Sequence, residues 1–353
     1  MYKSVLDKMS KTTPTQFWND NCSINDLKFA LEHGAVGATT NPVIVGQVLE
    51  AEFETYLPKI KELIAQNPNG TEDEISWLLN EYMAISGAAL LESVFRKTEG
   101  KAGYISIQTN AKYYRCAESM ANQAEHFSHL APNMMIKMPA TNAGINAVEE
   151  STYRGVNLNA TVSFTVPQAI AVAEAVQRGL KRREAEGKDN SGLHPVCTIM
   201  VGRLDDWIKE VVKDNAIDVD PQALEFAGIS TFKNAYKLYK ERGYHTRLLA
   251  AAYRNEFHLS EFMGGEVSMT IPPGWIQKFV SSSITVENRM GNPVSPEYLE
   301  QLLTIPDFVK AYDESGMTPF EFDFYGATKR TLNQFLLGYE KMLGIVREVM
   351  LNG

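Results

Sequence analysis

Eight short apolar runs, each followed by a stretch with helical spacing, constrain this chain more than any other feature. The runs are FWND (17–20), GATTN (37–41), YISIQ (104–108), MMIKMP (134–139), LNATVSF (158–164), HPVCTIM (194–200), RLLAAAY (247–253) and EVSMTI (266–271). They are continuous or nearly so in hydrophobicity, as strands of a sheet buried on both faces must be. The stretches between them carry helix punctuation. SINDLKFALEHG offers Ser23 as an N-cap and Gly34 as a stop, and VPQAIAVAEAVQRG places Pro167 in a first turn. Alternation of this kind predicts an α/β chain, a closed (β/α)8 TIM barrel with extra helices rather than an open sheet.

A chain of 353 residues suits one such barrel with additions, and 44% hydrophobic residues suffice for its core. The expected organisation is a single domain, 1–353, with no repeat or linker. A helical insertion at 50–100 is split by the Asn-Pro-Asn-Gly turn at 67–70. An irregular stretch rich in Ser, Pro, Gly and Asn at 281–320 is expected to wrap the mouth. A long helix over 325–351 is expected to pack on the outside.

Charge narrows the function. Thirty-four basic against 43 acidic residues leave a net charge of −9, which repels nucleic acid and anionic membranes at long range. The three cysteines are scattered, which fits a reducing compartment. The first twenty residues lack a signal-peptide core, and no run approaches the roughly 18 apolar residues of a membrane span. The expectation is a cytoplasmic protein without nucleic-acid or membrane partners. Of six histidines only His126 and His129 stand close, which is too few ligands for a metal site.

In such a barrel the chemistry comes from strand C-termini and the loops after them. Those ends hold Asp20, Thr39, Thr40, Asn41, Gln108, Lys137, Asn159, Thr161, Thr198, Arg203 and Arg254. Lys137 stands between Met134, Met135, Ile136 and Met138. Burial lowers an amine's pKa and turns it into a nucleophile for a ketone; alternatively its stem packs in the wall and its head reaches solvent. Asp20 is either a proton acceptor or a helix cap. Thr40-Asn41-Pro42 is either a turn or a holder of sugar hydroxyls. Arg203 and Arg254 could clamp a phosphate, or pair with Asp205 or Asp206 and with Glu256 respectively.

These residues carry a family resemblance. GAVGATTNPVIV, NMMIKMPATNAGINAVEE, RGVNLNATVSFTVPQAIAVAEA, MVGRLDDW and AAAYRN resemble, in order, the strand signatures of the transaldolase family within the class I Schiff-base aldolases. The resemblance implies transfer of a dihydroxyacetone unit between sugar phosphates of the pentose phosphate pathway, with no metal or cofactor. It implies Lys137 as the Schiff-base lysine and Asp20 as the proton carrier. Asn41 and Asn159, with Thr40, would hold donor hydroxyls, and Thr161 the catalytic water. Thr198 stands where the family has a small hydroxyl residue. Arg203 and Arg254 would hold the acceptor's phosphate. Homo-oligomers are common in the family.

The chain departs from the family at three positions. Gln108 replaces a glutamate, as in relatives that cleave fructose phosphate to free dihydroxyacetone. Met200 replaces an aromatic, and Ala252 a serine. The alternatives are therefore an aldolase of the same superfamily or a barrel without catalysis.

Overall fold

The computed structural model describes residues 2–353. Eight parallel strands close into a barrel in chain order: β1 (Gln16–Asn19), β2 (Gly37–Thr39), β3 (Tyr104–Gln108), β4 (Met134–Pro139), β5 (Leu158–Ser163), β6 (Val196–Ile199), β7 (Arg247–Ala250) and β8 (Ser268–Ile271). Every apolar run of the sequence supplies one strand, so the (β/α)8 expectation holds. Closure is made by β1 against β8, in register from Gln16 with Ser268 to Asn19 with Ile271.

Helices cover the outside, and local chemistry fixes their ends. Ser23 caps Ile24–Glu32 by accepting the amide of Asp26. Thr71 and Glu74 form a reciprocal capping box that starts Glu72–Lys97. Asn41 caps Pro42–Ala51 by accepting the amides of Val43 and Ile44 at 3.0 and 3.1 Å. The run 37–41 therefore stops being strand at Thr39, because Asn41 turns the chain into a helix. Between β7 and β8 the barrel has only the single turn Phe257–Ser260.

Two outer segments differ from expectation. The 281–320 stretch holds the helices Pro296–Leu302 and Pro306–Tyr312, and Pro319–Phe322 lies at its end. These pack on the outer helices, burying Leu302, Ile305, Phe308 and Phe322 in the main core. Proline at each helix start explains the misreading, since proline marks a first turn as readily as a loop.

The second is the terminal helix, Gly326–Asn352, which crosses the barrel mouth instead of packing on the outside. Near its start Thr331 and Gln334 meet Arg203, just past β6. Further along, Tyr339 meets Trp77 at 3.2 Å and Gly338 lies against Val43, just past β2. A Cβ at Gly338 would come within 2.8 Å of the Val43 backbone, so this crossing requires glycine.

Candidate active site

Alternation along the strands sorts the barrel interior into layers. At the N-terminal end Trp18, Tyr104, Met135, Val196 and Leu249 form an apolar plug. One layer higher β2, β3, β4, β5, β6 and β8 present Thr39, Ser106, Lys137, Asn159, Thr198 and Thr270, and beyond these lie Asp20, Gln108, Thr161 and Met200. The interior thus turns from apolar to polar within one strand repeat.

Lys137 occupies β4 and is 2% exposed. Its register neighbours are Gln108 on β3 and Asn159 on β5. Its Nζ donates to the Thr40 carbonyl at 3.3 Å. Burial pushes the amine's pKa down; the charge of Asp20 opposes this and that of Arg203 adds to it. The shift is toward the amine with a free lone pair, the form that attacks carbonyl carbon.

Asp20 sits one residue beyond β1, and its amide donates to Ile271 of β8 at 3.0 Å. Its Oδ1 accepts the Thr39 hydroxyl at 2.6 Å, and Thr39 in turn meets Thr270 at 2.6 Å. Desolvation pushes the carboxyl's pKa up, against the pull of Lys137, Thr39 and Arg203. Ser23, not Asp20, caps the following helix, so Asp20 is left to face the lysine. Amine and carboxyl thus share a desolvated pocket in which burial shifts both pKa values toward each other.

A hydrogen-bonded chain crosses the layer below. Asn159 Nδ2 donates to Ser106 Oγ at 3.1 Å, and Thr198 donates to Asn159 Oδ1 at 2.6 Å. Asn41 spends its carbonyl on the helix cap, leaving its amide nitrogen for a ligand. Thr161 is fully buried, with its hydroxyl 3.9 Å from the Met200 sulfur. Gln108 is 3% exposed and its Oε1 has no protein partner. Thr40, Asn41 and Gln108 line a narrow cleft that Tyr339 and Met342 of the terminal helix close.

Backbone irregularity shapes the wall. β5 carries a register shift between Ala160 and Ser163, with Val162 at φ 51°, a strained conformation for a β-branched residue. Gln168 braces this bulge: its Nε2 donates to the carbonyls of Val162 and Ala140 at 3.0 and 3.1 Å.

The arginines stand together past β6 and β7. Gly202 makes this possible, because a Cβ there would sit 1.8 Å from the Ala252 carbonyl. Arg203 Nη1 donates to Thr331 at 3.3 Å and to Gln334. Burial, then the like charge of Arg254, push the Arg203 pKa down to about 10. Arg254 is bidentate to Asp206, at 3.0 and 2.7 Å, and Glu256 is not its partner. Asp205 lies away from both arginines, buried against His258 at 2.8 Å.

The sequence reading missed several of these groups. Thr331 and Gln334 carry no local signal, because only the path of the terminal helix brings them to Arg203. Asp205 reads as a salt-bridge partner for Arg203, yet it is fully buried against the equally buried His258. His258 Nδ1 also accepts the Arg254 amide at 3.1 Å, tying the β7 loop to the helix that carries Arg203. Tyr253 ends an apolar run, but its buried hydroxyl has no partner, and burial followed by the charge of Asp20 holds its pKa well above normal.

A larger cavity, about 450 Å³, opens at the opposite end, lined by Trp18, Tyr104, His194 and Arg247 among others. Of its charged groups, Lys240 and Glu266 are paired at 2.8 Å, and Arg247 donates to Ser268 and to the carbonyls of Pro14 and Val267. Volume does not locate the chemistry here. The desolvated amine and carboxyl lie at the strand C-termini, where barrel enzymes carry their sites.

Comparison with known proteins identifies the family. The profile described as transaldolase/fructose-6-phosphate aldolase matches residues 17–330. Transaldolase 1 of Streptomyces avermitilis is 32% identical over 209 residues, covering 58% of this chain and about half, 54%, of that protein. Transaldolase 2 of the same organism is 25% identical over 328 residues, covering 84% of this chain and 86% of the relative. A Neisseria meningitidis transaldolase is 24% identical over 290 residues, 76% of this chain and 82% of its own. The chain therefore belongs to the transaldolase/fructose-6-phosphate aldolase family.

Proposed function

We propose that this protein is a transaldolase, moving a dihydroxyacetone unit from a ketose phosphate to an aldose phosphate through a Schiff base on Lys137. The observation that carries the reading is a desolvated lysine on β4 facing a desolvated carboxyl beyond β1. Lys137 adds to the donor's C2 carbonyl and water is lost, giving an iminium. Asp20 takes the C4 hydroxyl proton as the C3–C4 bond breaks, and the electron pair flows into the iminium to leave an enamine. Its raised pKa makes Asp20 a better base for that hydroxyl than an ordinary carboxylate. The first aldose phosphate departs. The enamine then adds to the acceptor aldehyde, and Asp20 returns the proton to the new alkoxide. Water oriented by Thr161 and Gln108 hydrolyses the Schiff base. Asn41, Thr40 and Asn159, with Thr198 behind Asn159, hold the donor, and Arg203 and Arg254 hold the phosphate.

The setting that fits is the cytoplasmic pentose phosphate pathway, with sugar phosphates as partners and a homo-oligomer as the working form. No helix among the described residues is long and apolar enough to cross a membrane.

Borohydride reduction with fructose 6-phosphate tests the chemistry. An adduct on Lys137 is expected, and its absence defeats the proposal. A second reading, an aldolase that releases free dihydroxyacetone, is favoured by Gln108, whose amide orients water but cannot take its proton. Product analysis with and without erythrose 4-phosphate separates the two. Cleavage at full rate without acceptor selects the aldolase.

A further inference from the structure

A small cavity lies where the β6 and β7 ends meet the terminal helix. Its volume is about 60 Å³, and Arg203, Asp206, Arg254, Arg330, Thr331 and Gln334 line it. With about 10–15 Å³ of such volume needed for one water, the cavity has room for a few waters or a small anion. Three guanidiniums face one carboxylate in a chain whose net charge is −9. Arg330 is held from the rim side by Glu210. Arg254 is neutralised by Asp206. Arg203 has no carboxylate in hydrogen-bond contact, and the nearby positive charge of Arg254 disfavours its protonated form.

The hydrogen-bond directions are more specific than the charge. A guanidinium only donates, so Gln334 must turn its Oε1 toward Arg203, as it does. Its Nε2 is then a donor that meets no protein acceptor among the described residues. Thr331 likewise accepts from Arg203, which leaves its hydroxyl hydrogen to donate elsewhere. Only Nη1 of Arg203 is engaged, so its Nε and Nη2 edge stays open for a bidentate anion. From the β7 side Ala252 offers no hydroxyl. The donors that complete a tetrahedral shell around an anion come from the terminal helix.

We propose that Gln334, with Thr331 beside it, binds the phosphate group of the substrate, so that the helix covering the mouth also sets the preference for phosphorylated sugars. The inference rests on the transaldolase reading for its substrate and on the cavity for its chemistry. Gln334 accepts from Arg203 and donates to a phosphate oxygen, bridging the two. A carboxylate in its place keeps the first contact and reverses the second.

Two measurements test this on the full chain. Calorimetry with inorganic phosphate as the probe needs no turnover: Gln334→Glu is expected to weaken binding at least about tenfold, and Gln334→Leu by less. Absent phosphate binding in the unaltered protein, or equal binding in all three, overturns the proposal. In turnover, the ratio of kcat/KM for glyceraldehyde 3-phosphate to that for glyceraldehyde should fall by a similar factor in Gln334→Glu. A merely structural glutamine would lower both values together, which also overturns it. Borohydride trapping of the unaltered protein keeps the failures apart. An adduct without a Gln334 effect sinks only this inference, while phosphate binding without an adduct sinks only the transaldolase reading.

Discussion

Within β1 and the residue after it, the barrel interior changes from one material to another. Trp18 belongs to a plug with Tyr104, Met135 and Leu249, and a Cβ on neighbouring Gly37 would strike its indole at 2.6 Å. Asp20, two residues on, is a desolvated carboxyl facing a desolvated amine. The plug gains stability from close packing. The mouth gives some away, because a buried amine and carboxyl cost free energy that attraction between them does not fully return. The contrast teaches that one set of strands can pack one end tightly enough to hold strained groups at the other.

The largest expected effect comes from removing the amine. Lys137→Met should abolish both the borohydride adduct and turnover, yet denature no earlier than the unaltered chain. The sign follows from linkage. A lysine whose pKa is lowered on folding binds fewer protons folded than unfolded, so it destabilises the fold more as pH drops from the usual lysine range toward the lowered value. The thermal advantage of Lys137→Met should therefore widen as pH falls through that window. A variant that unfolds early would instead make Lys137 part of the scaffold.

Asp20→Asn should cost about 10²–10⁴-fold in turnover while the adduct still forms, because in the proposed mechanism the carboxyl acts after Schiff-base formation. Equal loss of adduct and turnover would place Asp20 earlier in the reaction. Trp18→Ala should cost about 3–5 kcal/mol of stability by chemical denaturation, with the folded fraction still trapping ketose. If trapping fell in folded protein, plug and mouth would not be separable. Ser106→Ala, between the two layers, should lower stability by only about 1 kcal/mol, since it removes one acceptor from Asn159.

The strands were legible because a parallel sheet buried on both faces leaves an unbroken apolar signature, and the barrel follows from counting them. Lys137 was legible for the opposite reason, as a charge inside such a run. The insertion also read correctly as two helices, Phe53–Gln66 and Glu72–Lys97, although the second packs on β3 as an ordinary barrel helix. The path of the terminal helix was not legible. Its apolar residues Leu332, Phe335, Tyr339 and Met342 fit a mouth as well as an outer wall. The partners of the arginines were hidden likewise. Asp206 lies 48 positions from Arg254 and Gln334 lies 131 from Arg203, so neighbouring acids in the sequence pointed elsewhere.

The closure of the sheet has a consequence in time. Gln16 and Ser268, 252 positions apart, meet at the seam, and the backbone of Asp20 hangs from that seam through Ile271. Joining such distant segments is entropically demanding and slow. During refolding, Lys137 in the middle of the chain can find its neighbours on β3 and β5 before Asp20 is in place. The pairing of Lys137 with Asp20 should thus arrive last, with the event that seals the ring.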